Sequence, residues 1–396
     1  MKVVQINTVC GAGSTGKICA GISSVLNKYD IKNYIIYCEG NSDYKQAVKC
    51  RENNIKLQAL QSRIKGNYGF NSRKTTQMII EQLDNIKPDI VHLHNLHGHN
   101  CHLKMLTDYL RDNNVKVVWT FHDCWAFTAY CTHFVMAECD KWKDTCHNCI
   151  QYKKYSWFTD KSKKLFECKR NAIKGLELTV VTPSIWLADL AKQSFFKSFP
   201  VKVINNGIDT SLFKKSSFDI KKKYNIPENK FLILGVAMSW SRGKGPDVFA
   251  RLAKALDSEK YQIVMVGTDE GLEQDLPSEI ICIRRTADQT ELAQLYSAAD
   301  LFVNPTREEN FPTVNLESLA CGTPVLTYNT GGSPECIDEK TGMVVDCDDE
   351  EALYNAILYI EKERPFSSDD CIKRAENFDN SKKYEEYISL YRELMK

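Results

Sequence analysis

The sequence predicts an α/β protein with two Rossmann-like domains, and three observations in its 396 residues carry that expectation. Short apolar runs alternate with helix-prone stretches throughout, the pattern of parallel sheets covered by helices. The alternation starts twice, each time as strand, glycine-rich turn and helix: residues 2–8 with the turn 10–17, and 231–237 with the turn 242–245. Between the two series stands Asn206-Gly207-Ile208-Asp209, which reads as the end of the first domain. A length prior of ~100–200 residues per domain agrees with two or three units.

Composition excludes several classes. An apolar content of 43% is that of a globular protein, and no run approaches the ~18 apolar residues that cross a bilayer. The opening MKVVQINTV enters a strand pattern without the charged, apolar and cleavage regions of a signal peptide, so a cytoplasmic protein is expected. The 16 cysteines are spread along the chain and read as reduced thiols. A net charge of +1 makes no case for a nucleic-acid partner. Charge is local instead: residues 141–174 carry ten Lys or Arg against three acids, interleaved with Trp142, Tyr152, Tyr155, Trp157, Phe158 and Phe166. Such a stretch suits an anionic membrane surface or a solvated charged face.

In chain order, residues 2–8 form a buried first strand, and Gly11-Ala12-Gly13-Ser14-Thr15-Gly16-Lys17 nearly matches a phosphate-binding P-loop. Ile18 stands where that motif needs a metal-binding hydroxyl, and no Walker-B acid accompanies it, which argues against an NTP-hydrolysing site. A plain helix start capped by Ser14 or Thr15 is the alternative. Strands follow at 34–38, 89–94 and 115–121, with a helix at 76–85 ended by Pro88; residues 41–74 read as loop plus short helix. All eight histidines lie between His92 and His147. His97, His99 and His102 read as packed or solvated, whereas His122 follows a strand on the ligand-binding edge of the sheet. Beyond it come Cys124, Cys131, Cys139, Cys146 and Cys149; the Cys146-x-x-Cys149 gap lets two thiolates reach one zinc, and Cys131 and Cys139 would complete the set. Reduced thiols packed in an irregular loop are the alternative. A strand at 178–182 and a helix opening at Pro183-Ser184-Ile185-Trp186 complete this half.

The second half runs through a helix at 247–256, strands at 262–266, 280–283, 301–303, 325–328 and 343–345, and an amphipathic last helix at 381–395. Its centre is residues 307–324, REENFPTVNLESLACGTP. The strand stops at Asn304-Pro305 and the helix at 314–320 closes at Cys321-Gly322, so Glu309 falls in the loop and Glu317 one turn inside the helix. That is where an open α/β sheet binds ligands, with helix N–H groups facing an anion.

The Glu309–x7–Glu317 pair with its Ala-Cys-Gly-x-Pro-Val run resembles the signature of retaining, nucleotide-sugar-dependent glycosyltransferases of family 4. The resemblance implies a GT-B fold with two Rossmann-like domains facing a central cleft: 1–208 on the acceptor side, 209–375 for the nucleotide sugar, and 376–396 as a helix crossing back. It implies Glu309 beside the donor sugar, Glu317 on the ribose, Lys244 of Lys244-Gly245 on the departing pyrophosphate, and donor contacts from Asn310 and Phe311. His122 in Thr-Phe-His-Asp resembles the family's histidine near sugar and acceptor, and Gly13 lies in its flexible loop facing the donor phosphates. Two departures stand out. Ser239 replaces the usual Arg five residues before Lys244, leaving Arg242 as the candidate second cation, and Pro312 removes a backbone donor from the usual E-G-F-G. Cys139-x-x-Trp142 with the C-x-x-C resembles an insertion in bacterial members that build surface polysaccharides. The implied activity is sugar transfer from a nucleotide-diphosphate sugar to a glycan or lipid-linked acceptor, with no catalytic cofactor. A nucleotide-sugar epimerase and a non-catalytic nucleotide-sugar-binding protein are the alternatives.

Overall fold

The computed structural model describes residues 1–51 and 55–396; residues 52–54, inside the polar 41–74 stretch, lie outside the described residues. The chain divides into two compact units, Met1–Asn205 with Lys383–Lys396, and Asn206–Lys382.

In the first unit the strands are Lys2–Val9 (β1), Lys32–Glu39 (β2), Ala47–Lys49 (β3), Ile90–Leu93 (β4), Lys116–Thr120 (β5), Leu178–Thr182 (β6) and Val201–Val203 (β7). They make one parallel sheet in the order β3-β2-β1-β4-β5-β6-β7. The second unit has Phe231–Val236 (β8), Tyr261–Val266 (β9), Ile281–Ile283 (β10), Leu301–Asn304 (β11), Val325–Tyr328 (β12) and Gly342–Val345 (β13). These are parallel in the order β10-β9-β8-β11-β12-β13. Every residue of β4, β6, β9, β11 and β12 is buried, as a parallel sheet with helices on both faces requires. β3 went unread in the sequence because three residues show no alternation; its register is set by pairing Ala47 with Ile35.

In both sheets the chain reverses its direction of strand addition, between β1 and β4 and between β8 and β11. Such a switch point opens a crevice at the carboxyl ends of the strands. The loops leaving β1, β4, β8 and β11 are therefore where chemistry should be sought.

Ser14 and Thr15 do not cap the first helix, Gly13–Lys28. Its N-cap is Ala12, and Gly11 and Gly13 take positive φ, so the helix starts earlier and both hydroxyls fall inside its first turn. Thr15 Oγ1 accepts a hydrogen bond from Asn7 Nδ2 instead, at 3.3 Å. The last helix, Asn380–Leu394, buries Tyr384, Tyr387, Ile388 and Tyr391 against Ile18, Ile22, Val25 and Leu26. Gly21 allows this approach: a Cβ there would lie 2.1 Å from the Tyr384 ring.

The basic, aromatic segment is only partly a surface. Trp142, Phe166 and Lys169 are buried; the Lys169 ammonium donates to the Trp125 carbonyl at 2.6 Å and sits 3.5 Å from the Trp125 ring centroid. Trp157 and Phe158 remain exposed. Among the described residues, no helix is long and apolar enough to cross a membrane, and no cysteine is joined in a disulfide.

Candidate functional site

The residues singled out in the second unit gather after β8 and β11. The β8 strand runs into a short 3-10 turn, Arg242–Lys244, and Lys244 Nζ meets Glu309 Oε2 at 2.5 Å. The other oxygen, Glu309 Oε1, accepts from the Asn310 backbone N–H at 3.0 Å, which turns the carboxylate along the loop. Pro312 serves as N-cap of the helix Thr313–Ala320, and Glu317 lies in that helix, half-buried, accepting from the Tyr296 hydroxyl at 3.2 Å. Burial, then the Glu317 carboxylate, push the Tyr296 phenol well above its usual pKa, so it stays a donor.

One residue holds this arrangement together, and sequence reading passed over it. Arg307, nearly buried, donates to both oxygens of Asp247 at 2.8 Å each, to Asp348 at 2.8 Å and to the Arg242 carbonyl at 2.7 Å. Its backbone N–H reaches the Gly243 carbonyl at 2.7 Å. The hydrogen bond from Arg307 outweighs burial and holds Asp247 down at about 2. The only hint in the sequence is a cation two residues before Glu309; its partners lie 41 and 60 residues away. The turn at 330–335 backs the same loop: Gly332 N–H donates to the Asn310 carbonyl at 3.1 Å. Gly331, at φ +58°, lies so close that a Cβ would be 1.7 Å from the Glu309 carbonyl oxygen.

The Phe311 ring belongs to the core, packed 5.7 Å from that of Phe378, so only its backbone is available to a ligand. Its apolar ring finds more buried area there than in a polar loop. Arg242 is exposed and engages the network through its carbonyl.

In the first unit, Gly13 follows β1 with nothing within 4 Å of where a Cβ would stand. His122 follows β5 and meets His94, which follows β4, edge to edge, the rings 15° from parallel with centroids 5.3 Å apart. His94 Nδ1 and His122 Nε2 are 3.0 Å apart. Burial lowers His122 to about 4 and lowers His92 and His94 well below the usual histidine value. His97, by contrast, is raised, because Asp123 at 2.8 Å outweighs the burial that would lower it. His99 accepts or donates to Asn71 at 2.9 Å, and His102 caps the helix Leu103–Asp112. These three are structural, as read from the sequence.

Cys131, Cys139, Cys146 and Cys149 line one cavity of about 20 Å³, closed by Phe134 and Trp142. The Cys131 thiol donates to Cys149, which lowers Cys149 to about 7. Among the described residues no three His, Cys, Asp or Glu side chains are arranged to hold a metal ion.

Residues 33–212 match Glycosyltransferase Family 4, and residues 216–378 match Glycosyl transferases group 1. A D-inositol 3-phosphate glycosyltransferase of Corynebacterium jeikeium is 30% identical over 45% of this chain and 48% of its own, so the chain spans about half the length of that relative. WcaC of Escherichia coli, described as a colanic acid biosynthesis glycosyl transferase, is 22% identical over 89% of both chains. The sucrose-phosphate synthase of Thermosynechococcus elongatus has the same fold, with TM-score 0.74, 18% identity and coverage of 100% and 99%. So does Anabaena HepE, solved with UDP-glucose, with TM-score 0.67, 14% identity and coverage of 99% and 100%. With one match over most of each sheet-bearing half, the chain belongs to the glycosyltransferases, a family 4 region followed by a group 1 region on the GT-B fold.

Proposed function

We propose that the protein moves a sugar from a nucleotide-diphosphate sugar to a glycan or lipid-linked acceptor, with retention. The observation that carries this reading is the Lys244–Glu309 pair after β8 and β11, with Glu317 on the helix that follows. Departure of a diphosphate leaves negative charge on the leaving group and positive charge on the sugar. A preorganised cation and carboxylate in one polar crevice stabilise both. Lys244 takes the pyrophosphate, Arg242 on the same turn is the second cation, and the start of the helix Thr313–Ala320 adds N–H groups. Glu309 and the backbone of Asn310 and Phe311 position the sugar, and Glu317 holds the ribose. In the first unit, Gly13 faces the donor phosphates and His122 the sugar and acceptor. The similarity to WcaC supports a surface-polysaccharide acceptor, and HepE with UDP-glucose puts UDP-sugars first among donors to try.

A thermal-shift panel of UDP-, GDP- and ADP-sugars tests the reading, since a ligand at 100 times its Kd stabilises by ~2.7 kcal/mol. One donor is expected to raise Tm and to release its nucleotide only with acceptor present. Turnover of the sugar without acceptor would indicate an epimerase, binding without release a binding module, and no shift with any donor would overturn the reading.

Two accessory features belong to the same proposal. Exposed Trp157 and Phe158, among Lys153, Lys154, Lys161, Lys163 and Lys164, support peripheral contact with an anionic membrane from the cytoplasmic side. Co-sedimentation with anionic but not neutral vesicles is expected. The shared cavity of the four thiols supports a structural zinc on Cys131, Cys139, Cys146 and Cys149; binding it would replace the hydrogen bond from Cys131 to Cys149 and draw the thiols together, since among the described residues they do not stand as a ligand group. About one zinc per chain, lost in the Cys146→Ser, Cys149→Ser double variant, is the expected result; none in the native protein would leave packed thiols.

A further inference from the structure

His122, itself half-buried, ends a line of buried polar groups whose far end fixes the direction of every hydrogen bond in it. Gln5, fully buried on β1, has its amide between two partners: Nε2 is 2.9 Å from the Cys19 carbonyl, and Oε1 is 3.1 Å from His94 Nε2. A backbone carbonyl can only accept, so the NH2 group of Gln5 must face Cys19 and its oxygen must face His94. That oxygen also only accepts, so His94 carries its hydrogen on Nε2. His94 is buried to 1% exposure and neutral, and its Nδ1 is left with a lone pair. The remaining bond, 3.0 Å from His94 Nδ1 to His122 Nε2, can then run only from His122 to His94.

His94 itself cannot turn to evade this. Turning its ring over would put carbon where Nδ1 and Nε2 stand and lose both side-chain bonds. The ring lies between those of His92, 4.0 Å away, and His122. The neighbouring line through His92 fixes nothing of the kind, because its partners, the Thr120 and Tyr391 hydroxyls, can donate or accept.

We infer that Gln5 and His94 are positioning residues that hold neutral His122 in the tautomer with hydrogen on Nε2, so that Nδ1 is the ring atom able to accept a hydrogen bond from a sugar hydroxyl. The second half of that statement rests on the proposed place of His122 beside the sugar; the tautomer itself rests only on the geometry of the first unit. A strand residue 117 positions before His122 thus sets which face of the imidazole is basic. With the opposite tautomer, a donor would be presented to the hydroxyl instead.

Nitrogen-15 histidine spectra of the full chain test this, with His122 assigned by the signals missing from His122→Asn. In the native protein His122 is expected to show a protonated Nε2 and an unprotonated Nδ1 at neutral pH. Gln5→Leu is expected to lose that single tautomer and lower kcat with donor KM unchanged. A native His122 protonated on Nδ1, or an unaltered His122 signal in Gln5→Leu, overturns the inference, and the native spectrum decides the tautomer even if Gln5→Leu does not fold. Unchanged transfer by His122→Asn would instead overturn the placement of His122 at the sugar and leave the tautomer standing.

Discussion

Glu317, proposed to hold the ribose, is also tied into the fold. Its carboxylate accepts from the fully buried Tyr296 hydroxyl, so the choice of replacement separates binding from stability. Glu317→Gln keeps an acceptor and should weaken nucleotide-sugar affinity while leaving Tm nearly unchanged. Glu317→Leu strands the hydroxyl and should cost a further ~1–3 kcal/mol of stability. Donor titration and thermal melts of both variants check this, and unchanged affinity in Glu317→Gln would remove it from the site. Under the proposed function, Lys244 is the residue on which the chemistry depends most. Lys244→Ala should lower kcat by roughly 10²–10³, the ~2.7–4 kcal/mol typical of losing one preorganised charge. A smaller but measurable fall in Arg242→Ala would confirm it as the second cation, and native turnover would not.

At the scale of elements, the decisive piece is the fastening of the turn Arg242–Lys244 to β11 through Arg307. Arg307→Met removes bonds to Asp247, Asp348 and the Arg242 carbonyl together. A loss of about 1–3 kcal/mol is expected, below the ~3–5 of a fully buried pair because both carboxylates are half-exposed. Lys244 should then be mispositioned, with kcat falling although Lys244 is intact. The pH dependence has a definite sign. Asp247 is depressed to about 2, so its contribution is present above the usual 3.8 and lost as pH falls from there towards 2. Acid melts of Arg307→Met should lack that part of the native profile.

For the whole molecule, the last helix is the test of how the first unit is completed. Ending the chain before Lys383 uncovers Ile18, Ile22, Val25 and Leu26 and removes Tyr391 from His92 and Tyr387 from Thr120. At ~1.5–3 kcal/mol for each large apolar side chain re-exposed, the four sum to ~6–12 kcal/mol, as much as the whole stability of a typical domain. The truncated chain is expected to be insoluble or molten, by circular dichroism and proteolysis. Acid should act on the same unit. His92, His94 and His122 are held neutral with lowered values, so the unfolded chain binds more protons below 6.5 and stability should fall from there to about 4. His97 acts oppositely, its contribution complete below 6.5 and lost as pH rises through its raised value, but it is one group against five, since burial also lowers His99 and His102. A Tm that held steady from pH 7 to 4 would contradict this.

The sequence by itself determined the two α/β halves, the strand-to-helix turns after β1, β8 and β11, and the placing of Glu309 in a loop and Glu317 one turn into a helix. Those follow from periodicity and turn chemistry, which act over a few residues and leave a local trace. It could not place Arg307 with Asp247 and Asp348, Gln5 with His94, or Tyr296 with Glu317. It also counted Lys169 in a surface charge cluster, where the fold buries it. Each of these depends on which buried polar or apolar group is met when distant segments close together. A buried donor or acceptor must be paired by whatever stands opposite it, and only the tertiary structure decides what that is.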